Sequence, residues 1–301
     1  MILVTGGAGY IGSHAVLALR AAGHEVVVFD DLKEGHRAAV AADVPVVQGD
    51  LTDRKLLEQT LKDRSVDAVM HFAARCYVGE SVQNPAKYVR DNAVGMHHLL
   101  EAMRATQVKK FVFSSTCATY GVPAKIPITE EFERRPISPY GITKRFCEEQ
   151  LEMYCRAYGF AAVALRYFNA AGADPHGRLG EWHEPETHLI PNILRAALSG
   201  GTRPLEIFGN DYPTADGTCV RDYIHVTDLA KAHVLALKAL DQGLTHRAFN
   251  LGNGHGYSVR EVIASVERVT GFSVPVKFGE RRPGDPARLI SDSARAASQR
   301  F

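Results

Sequence analysis

Thr5-Gly6-Gly7-Ala8-Gly9-Tyr10-Ile11-Gly12 (residues 5–12) is the stretch whose reading decides the fold. Before it, Ile2–Thr5 is a continuous apolar run of the kind that forms a strand in a sheet covered on both faces. After it, Ile11–Ala22 has helical spacing and stops at Gly23, a C-cap residue. A glycine turn between strand and helix aims backbone N–H groups and the positive end of a helix dipole at phosphate. Gly6 then serves the tight turn, Gly9 the close approach of a pyrophosphate, and Gly12 the packing of helix on strand.

The next strand, Glu25–Asp30, closes on an acid, with Asp31 beside it, at the spacing of roughly 20 residues expected of a dinucleotide site. A carboxylate there accepts hydrogen bonds from ribose hydroxyls and repels a 2′-phosphate, so the expected cofactor is NAD. Lys33 and Arg37 keep a 2′-phosphate reading open. Gly49-Asp50-Leu51, past the third strand, is a weaker candidate for the adenine edge.

Further along, Val44–Gln48, Ala68–Phe72, Phe111–Ser115 and Ala161–Tyr167 read as strands, with long helices at Pro85–Ala105 and Tyr140–Ala157. The alternation predicts an α/β fold: a Rossmann-type doubly wound parallel sheet with right-handed crossovers. After Gly172 the texture changes. Ala173–Glu186 reads as an irregular loop over a site, and short strands (Leu205–Phe208, Ala248–Leu251) alternate with helices (Val226–Leu240, Val259–Thr270). The expected division is a dinucleotide-binding domain over 1–172 and a smaller, interleaved α/β lobe over 173–301 that mainly binds substrate.

Composition narrows the class. The 301 residues carry 35 basic and 34 acidic side chains, a net charge of +1 with no basic face or charged tail, which argues against a nucleic-acid or membrane partner. The five cysteines have no C-x-x-C and fit free thiols in a reducing cytoplasm. No basic leader precedes Met1-Ile2-Leu3-Val4, and no apolar stretch approaches the roughly 18 residues that span a bilayer. A soluble, cytoplasmic protein is expected. No H-E-x-x-H or similar cluster points to a metal.

Tyr140-Gly141-Ile142-Thr143-Lys144 opens a helix, and the i, i+4 spacing sets Tyr140 and Lys144 on one face. A phenol titrates near ~10, too high for a base at neutral pH, and a nearby ammonium favours the phenolate. Lys144 is also placed to donate to a nicotinamide ribose. Ser114-Ser115-Thr116 ends a buried strand at the ligand edge of the sheet, where the Thr116 hydroxyl can hold the oxygen that Tyr140 deprotonates.

Together these blocks resemble the extended short-chain dehydrogenase/reductase family. Further stretches resemble, within it, the UDP-glucose 4-epimerase family: Val78-Gly79-Glu80-Ser81-Val82, Arg166-Tyr167-Phe168-Asn169, Ile207-Phe208-Gly209-Asn210-Asp211-Tyr212, Val220-Arg221-Asp222-Tyr223-Ile224-His225-Val226 and Arg281-Arg282-Pro283-Gly284-Asp285. The resemblance covers nearly the whole chain. It implies NAD-dependent epimerisation at C4 of a UDP-hexose, through a 4-keto sugar that turns in the pocket and is reduced on its other face. Thr116, Tyr140 and Lys144 would be the catalytic residues. The NAD contacts implied are Gly6, Gly9, Tyr10, Ile11, Gly12, Asp30, Asp31, Asp50, Leu51, Phe72, Ala73, Ala74, Asn92, Tyr140, Lys144 and Phe168. For the UDP-sugar they are Thr116, Tyr140, Asn169, Leu189, Phe208, Arg221, Arg282 and Asp285, the two arginines facing the diphosphate and Asp285 the ribose. No metal ligand is implied, and a homodimer built on Pro85–Ala105 and Tyr140–Ala157 is.

The chain departs from the family pattern at Cys76, where many members have lysine, at His188, where asparagine is common, and at Leu289, near a large aromatic residue of glucose/galactose-restricted members. It also ends at Phe301, short of the family's usual final segment. The competing expectations are an epimerase for UDP-N-acetylhexosamine, UDP-xylose/arabinose or UDP-glucuronate, and a nucleotide-sugar 4,6-dehydratase. The dehydratase needs an acid and a base beside the active threonine, where this chain has Cys117-Ala118. A non-catalytic NAD-binding regulator would not need Tyr140 and Lys144.

Overall fold

A computed structural model of the chain describes residues 1–282 and 285–299. Pro283, Gly284 and Phe301, named above, lie outside the described residues. In chain order the first half runs β1 (Ile2–Thr5), α1 (Tyr10–Ala21), β2 (Val26–Asp30), β3 (Val46–Gln48), α2 (Arg54–Asp63) and β4 (Ala68–His71). It continues through α3 (Val78–Gln83), α4 (Pro85–Tyr88), α5 (Gly95–Thr106), β5 (Lys110–Thr116), α6 (Pro139–Tyr158) and β6 (Ala161–Tyr167). The second half contains β7 (Asn169–Ala171), α7 (Leu189–Ala197), β8 (Leu205–Phe208), β9 (Val220–His225), α8 (Val226–Asp241) and β10 (His246–Leu251). It closes with β11 (Gly256–Ser258), α9 (Val259–Thr270), β12 (Val276–Gly279), β13 (Arg288–Leu289) and α10 (Ala294–Ser298).

A seven-stranded sheet in the order β10-β6-β5-β4-β1-β2-β3 is the centre of the molecule, and every pairing in it is parallel. Its strands are apolar on both sides because alternate residues enter different cores. Val4, Val28, Met70, Val112 and Val163 pack with α1 and α8 residues such as Val16 and Leu229. Leu3, Val27, Val69, Phe111 and Ala162 pack on the other face with Leu57, Leu99 and Leu151 from α2, α5 and α6. The neighbouring strands β1 and β4 mark the topological switch point, where an open sheet of this type holds its ligand.

Two elements differ from the sequence expectation. Ala248–Leu251, read as part of the second lobe, lengthens to β10 and joins the large sheet through β6. The expected helix Pro85–Ala105 is interrupted by a π-helical stretch, Val89–Val94. Its residue Asn92 donates through Nδ2 to the Arg75 carbonyl at 3.0 Å and accepts the Arg75 N–H at 2.8 Å. These long-range bonds have no signature in local helical periodicity, and π-helical turns concentrate at functional sites.

The smaller lobe groups β7, β9, β11 and β13 around β9 and pairs β8 with β12. Helices α7 and α9 cover a core that includes Ile193, Leu205, Ile207 and Ile263. Asp222 is the lobe's internal anchor. Fully buried, it accepts the N–H groups of Asn253 (2.8 Å), Gly254 (3.1 Å) and Ser291 (3.0 Å). Among the described residues no helix is long and apolar enough to cross a membrane, and all five cysteines are free.

Candidate active site

Helix α1 begins at the glycine turn with no side-chain cap and no acid in its first turn, so its orphan N–H groups face outward. Gly6 has φ +71, and a Cβ there would lie 2.5 Å from the Ala73 nitrogen. A Cβ on Gly12 would lie 2.1 Å from the Gly6 carbonyl oxygen. A Cβ on Gly9 meets nothing closer than 3.4 Å. The fold alone therefore demands glycine at 6 and 12, whereas the demand at 9 comes from whatever occupies the open side.

That difference is testable. Gly12→Ala should destabilise the protein by about 1–3 kcal/mol or more through overpacking against backbone. Gly9→Ala should stay within about 1 kcal/mol of wild type in stability and still weaken NAD binding about tenfold or more. Thermal unfolding and NAD titration of the two variants separate the effects. A Gly9→Ala protein with wild-type affinity would remove that glycine from the phosphate-facing role.

Asp30 is buried at the end of β2 and accepts the Ala8 N–H on one oxygen and the Leu32 N–H on the other, both at 2.9 Å. Burial pushes its carboxyl above the ordinary range, against those two bonds. Asp31 faces Lys33 (3.1 Å) and Arg75 (3.2 Å). Asp50 accepts from the Thr52 backbone and hydroxyl, which with Lys33 at 3.1 Å hold its pKa at about 2. Lys33 is thus neutralised between two carboxylates, and Arg37 donates to the Val40 carbonyl at 2.7 Å. Lys33 is committed to carboxylates, whereas Arg37 meets only a neutral carbonyl and keeps its charge. The open glycine turn and the buried acid closing β2 fit a dinucleotide of the NAD type.

Arg75, missed in the sequence, bonds Asp91 at 2.9 Å, Glu34 at 2.5 Å and Asp31 at 3.2 Å, clamping the segment after β4 to the loop after β2. Phe72 and Ala73 leave β4 with their N–H groups on the Thr5 carbonyl, at 2.9 and 3.1 Å, and Ala74 follows. Leu51 is buried in the core beneath, and Asn92 directs its amide to Arg75. The Tyr10 hydroxyl donates to the Gly172 carbonyl at 2.7 Å, joining α1 to the start of the second half, and Ile11 packs on the core.

Thr116, Tyr140 and Lys144 meet at the C-terminal edge of β5. The Pro139 start of α6 follows the N-cap Ser138, whose hydroxyl accepts the Gly141 N–H at 3.2 Å. Lys144 is 3% exposed, donates to the Ser114 carbonyl at 2.8 Å and sits 4.7 Å from the Phe113 ring centre. Burial lowers its pKa. Burial also holds the Tyr140 phenol well above its usual range; Tyr167 and Cys76 add to this, and a hydrogen bond with Thr116 opposes it. Desolvation sets the direction of this shift, opposite to the lowering expected from Lys144. Cys76, where many members of the family have lysine, has its thiol pushed up to about 12 by burial, so it stays neutral, and no cation stands at that position.

In the second lobe Arg282 lies over the Phe208 ring, 4.0 Å from its centre. Arg221 and Asp285, expected on phosphate and ribose, are ion-paired with each other. Asn169 donates to the Asp222 carbonyl at 2.8 Å, and Leu189, the first residue of α7, packs on the lobe core. Phe168 is 6% exposed and packs with Cys117, Tyr120 and Ile128, against which Leu289 also rests.

Known proteins share this fold. The NAD dependent epimerase/dehydratase family pattern matches residues 2–252. UDP-glucose 4-epimerase of Halalkalibacterium halodurans is 52% identical over 295 residues, 98% of this chain and 88% of that protein. The crystal structure of UDP-glucose 4-epimerase from Brucella ovis in complex with NAD superposes with TM-score 0.95 at 52% identity, covering 99% of this chain and 91% of that one. The Bifidobacterium longum enzyme in complex with NAD+ and UDP gives TM-score 0.93 at 37% identity, covering 99% and 91%. The chain belongs to the NAD dependent epimerase/dehydratase family, in its UDP-glucose 4-epimerase branch.

Proposed function

We propose that the protein interconverts the C4 epimers of a UDP-hexose, UDP-glucose and UDP-galactose, with NAD as its resident cofactor. The observation that carries this reading is the meeting of Tyr140, Lys144 and Thr116 at the sheet edge that also carries the glycine turn. NAD, when bound, supplies reversible hydride exchange and a cationic ring that favours the phenolate. Tyr140 takes the proton of the sugar's 4-hydroxyl and later returns it. Thr116 hydrogen-bonds that oxygen, and Lys144, fixed by the Ser114 carbonyl, holds the nicotinamide ribose. Arg221 and Arg282 neutralise the diphosphate by forked hydrogen bonding, with Phe208 against the uracil and Asn169, Leu189 and Asp285 around the nucleoside.

The test is to incubate the purified protein with UDP-galactose and no added cofactor, and to follow UDP-glucose. No interconversion of any UDP-sugar pair, even with NAD supplied, overturns the proposal. Leu289 leaves less bulk beside Phe168 than an aromatic residue would, which favours testing UDP-N-acetylglucosamine in the same assay.

The free thiols fit a cytoplasmic setting. A homodimer is proposed on the face formed by Val89, Ile142, Phe146 and Met153, which are 46–54% exposed. An apolar patch of this kind marks an association surface. Light scattering should report twice the chain mass, and Phe146→Glu should shift the protein towards monomer; a wild-type monomer at assay concentrations rules the dimer out.

A further inference from the structure

The loop that leads into α7 carries four ligand-type side chains unused by the chemistry above. Glu181, His183, Glu186 and His188 each bring one ligand atom into a group whose members all lie within 4.8 Å of one another. The Glu186 and Glu181 side chains are 0% and 8% exposed, and His183 is 13% exposed. One Glu186 oxygen accepts the backbone N–H groups of Thr187 and His188, both at 2.9 Å. Its other oxygen, Oε2, is buried with no hydrogen-bond partner, and so is Nδ1 of His183, 3.5 Å away. A buried orphan acceptor and a buried orphan ring nitrogen 3.5 Å apart call for a shared occupant.

We propose that Glu181, His183, Glu186 and His188 form a four-coordinate site for a divalent first-row transition ion, best suited to zinc. Ligand atoms ~2.0–2.2 Å from a tetrahedral zinc stand roughly 3.3–3.6 Å apart. His183 Nδ1 is 3.5 Å from both Glu181 Oε1 and Glu186 Oε2, and His188 Nδ1 is 2.9 Å from Glu181 Oε1 and 3.1 Å from the other Glu186 oxygen, Oε1. The two His188 pairs must open by a few tenths of an ångström, and the widest pair of the group, within 4.8 Å, must close onto the ion. Two imidazoles and two carboxylates are ligands that zinc accepts, and its 2+ charge cancels that of two carboxylates which would otherwise be costly to bury together.

The competing occupant is a proton. Burial disfavours charge on His188, but its hydrogen bonds to Glu181 and Glu186 outweigh that and push its pKa up to about 9.

The site's placement gives it a role. The His183 ring is edge-on to Tyr10 and to Tyr77, each at 6.3 Å, and Trp182 stacks on His36 at 4.4 Å. His188 is the N-cap residue of α7. An ion here staples the start of α7, in the small lobe, to a loop lying against the first turn of α1. The sequence expectation of no metal rested on helical motifs such as H-E-x-x-H. The loop spacing E-x-H-x-x-E-x-H was the available signal.

The experiment uses tag-free, full-length protein equilibrated with zinc chloride, desalted, and analysed for metal by mass spectrometry. About one zinc per chain should remain, and added zinc should raise the melting temperature by several degrees, as for any ligand bound only by the folded state. His183→Ala and Glu186→Gln should both lose the retained zinc and the thermal shift. Cobalt supplied to the unaltered protein should give the intense visible absorption of a tetrahedral site, a readout that needs no variant. Protein that retains no zinc and shows no shift holds a proton-bridged cluster only, which overturns the proposal. Wild-type zinc retention by both variants, or a weak six-coordinate cobalt spectrum, overturns it as well.

Discussion

Tyr140→Phe should lower epimerase turnover by about 10²–10⁴-fold, the loss expected when a positioned proton-transfer group is removed. The substitution deletes one oxygen and keeps the ring, which packs edge-on to Tyr88 with centroids 6.5 Å apart. Folding should therefore be little changed, and NAD should co-purify as with wild type, because the glycine turn and Asp30 are untouched. Lys144 also keeps its Ser114 contact. The measurement is steady-state conversion of UDP-galactose beside NAD released on denaturation. A Tyr140→Phe enzyme that is fully active would remove the phenol from the proton path. Thr116→Val should cost less, and the double variant should lose less than the product of the two single losses, because both side chains act on one oxygen.

This prediction came from residues whose meaning is local. The glycine turn, the acid closing β2, and Tyr140 four residues before Lys144 each sit on one element, where period and spacing fix the face presented. For the same reason Val259–Thr270 was legible as a helix: it opens with a Ser258–Glu261 capping box and closes on Gly271 with φ +73. What escaped the sequence is made by side chains meeting across the chain. Arg75 reaches Glu34, 41 residues away, and Asp91, 16 residues away, and no periodicity announces such a clamp. The pairing of Arg221 with Asp285 is of the same kind, and so is the placement of β10 beside β6. In each case the short-range pattern identified the element, and burial and long-range charge decided its partner.

Removing the carboxylate of Glu148 should be the most destabilising single change outside the glycine turn. Glu148 lies on the face of α6 that carries Tyr140 and Lys144, four residues beyond the lysine. It receives the Arg166 guanidinium at 2.6 Å and Arg134 at 2.9 Å, with the Ser115 hydroxyl also donating. Arg166 in turn donates to Tyr120, whose hydroxyl reaches Asn250 on β10 at 2.7 Å. One buried network thus ties α6 to β5, β6 and β10. The Glu148 and Arg166 side chains are 5% and 7% exposed, so Glu148→Ala leaves an uncompensated buried guanidinium, at a cost of about 3–5 kcal/mol. The melting temperature should fall on the order of 10 °C. Burial raises the Glu148 pKa, but the Arg166 contact outweighs it and leaves the net shift downward. A depressed native pKa contributes stability that is complete above the unfolded value of ~4.3 and is lost as pH falls through the folded one. Glu148→Gln should therefore flatten the acid side of the stability profile as well as lower its plateau. Replacing Glu148 and Arg166 together by methionine should restore part of the loss, since no charge is then stranded. A Glu148→Ala protein that melts with wild type would show that α6, and the Tyr140 it carries, is held by packing alone.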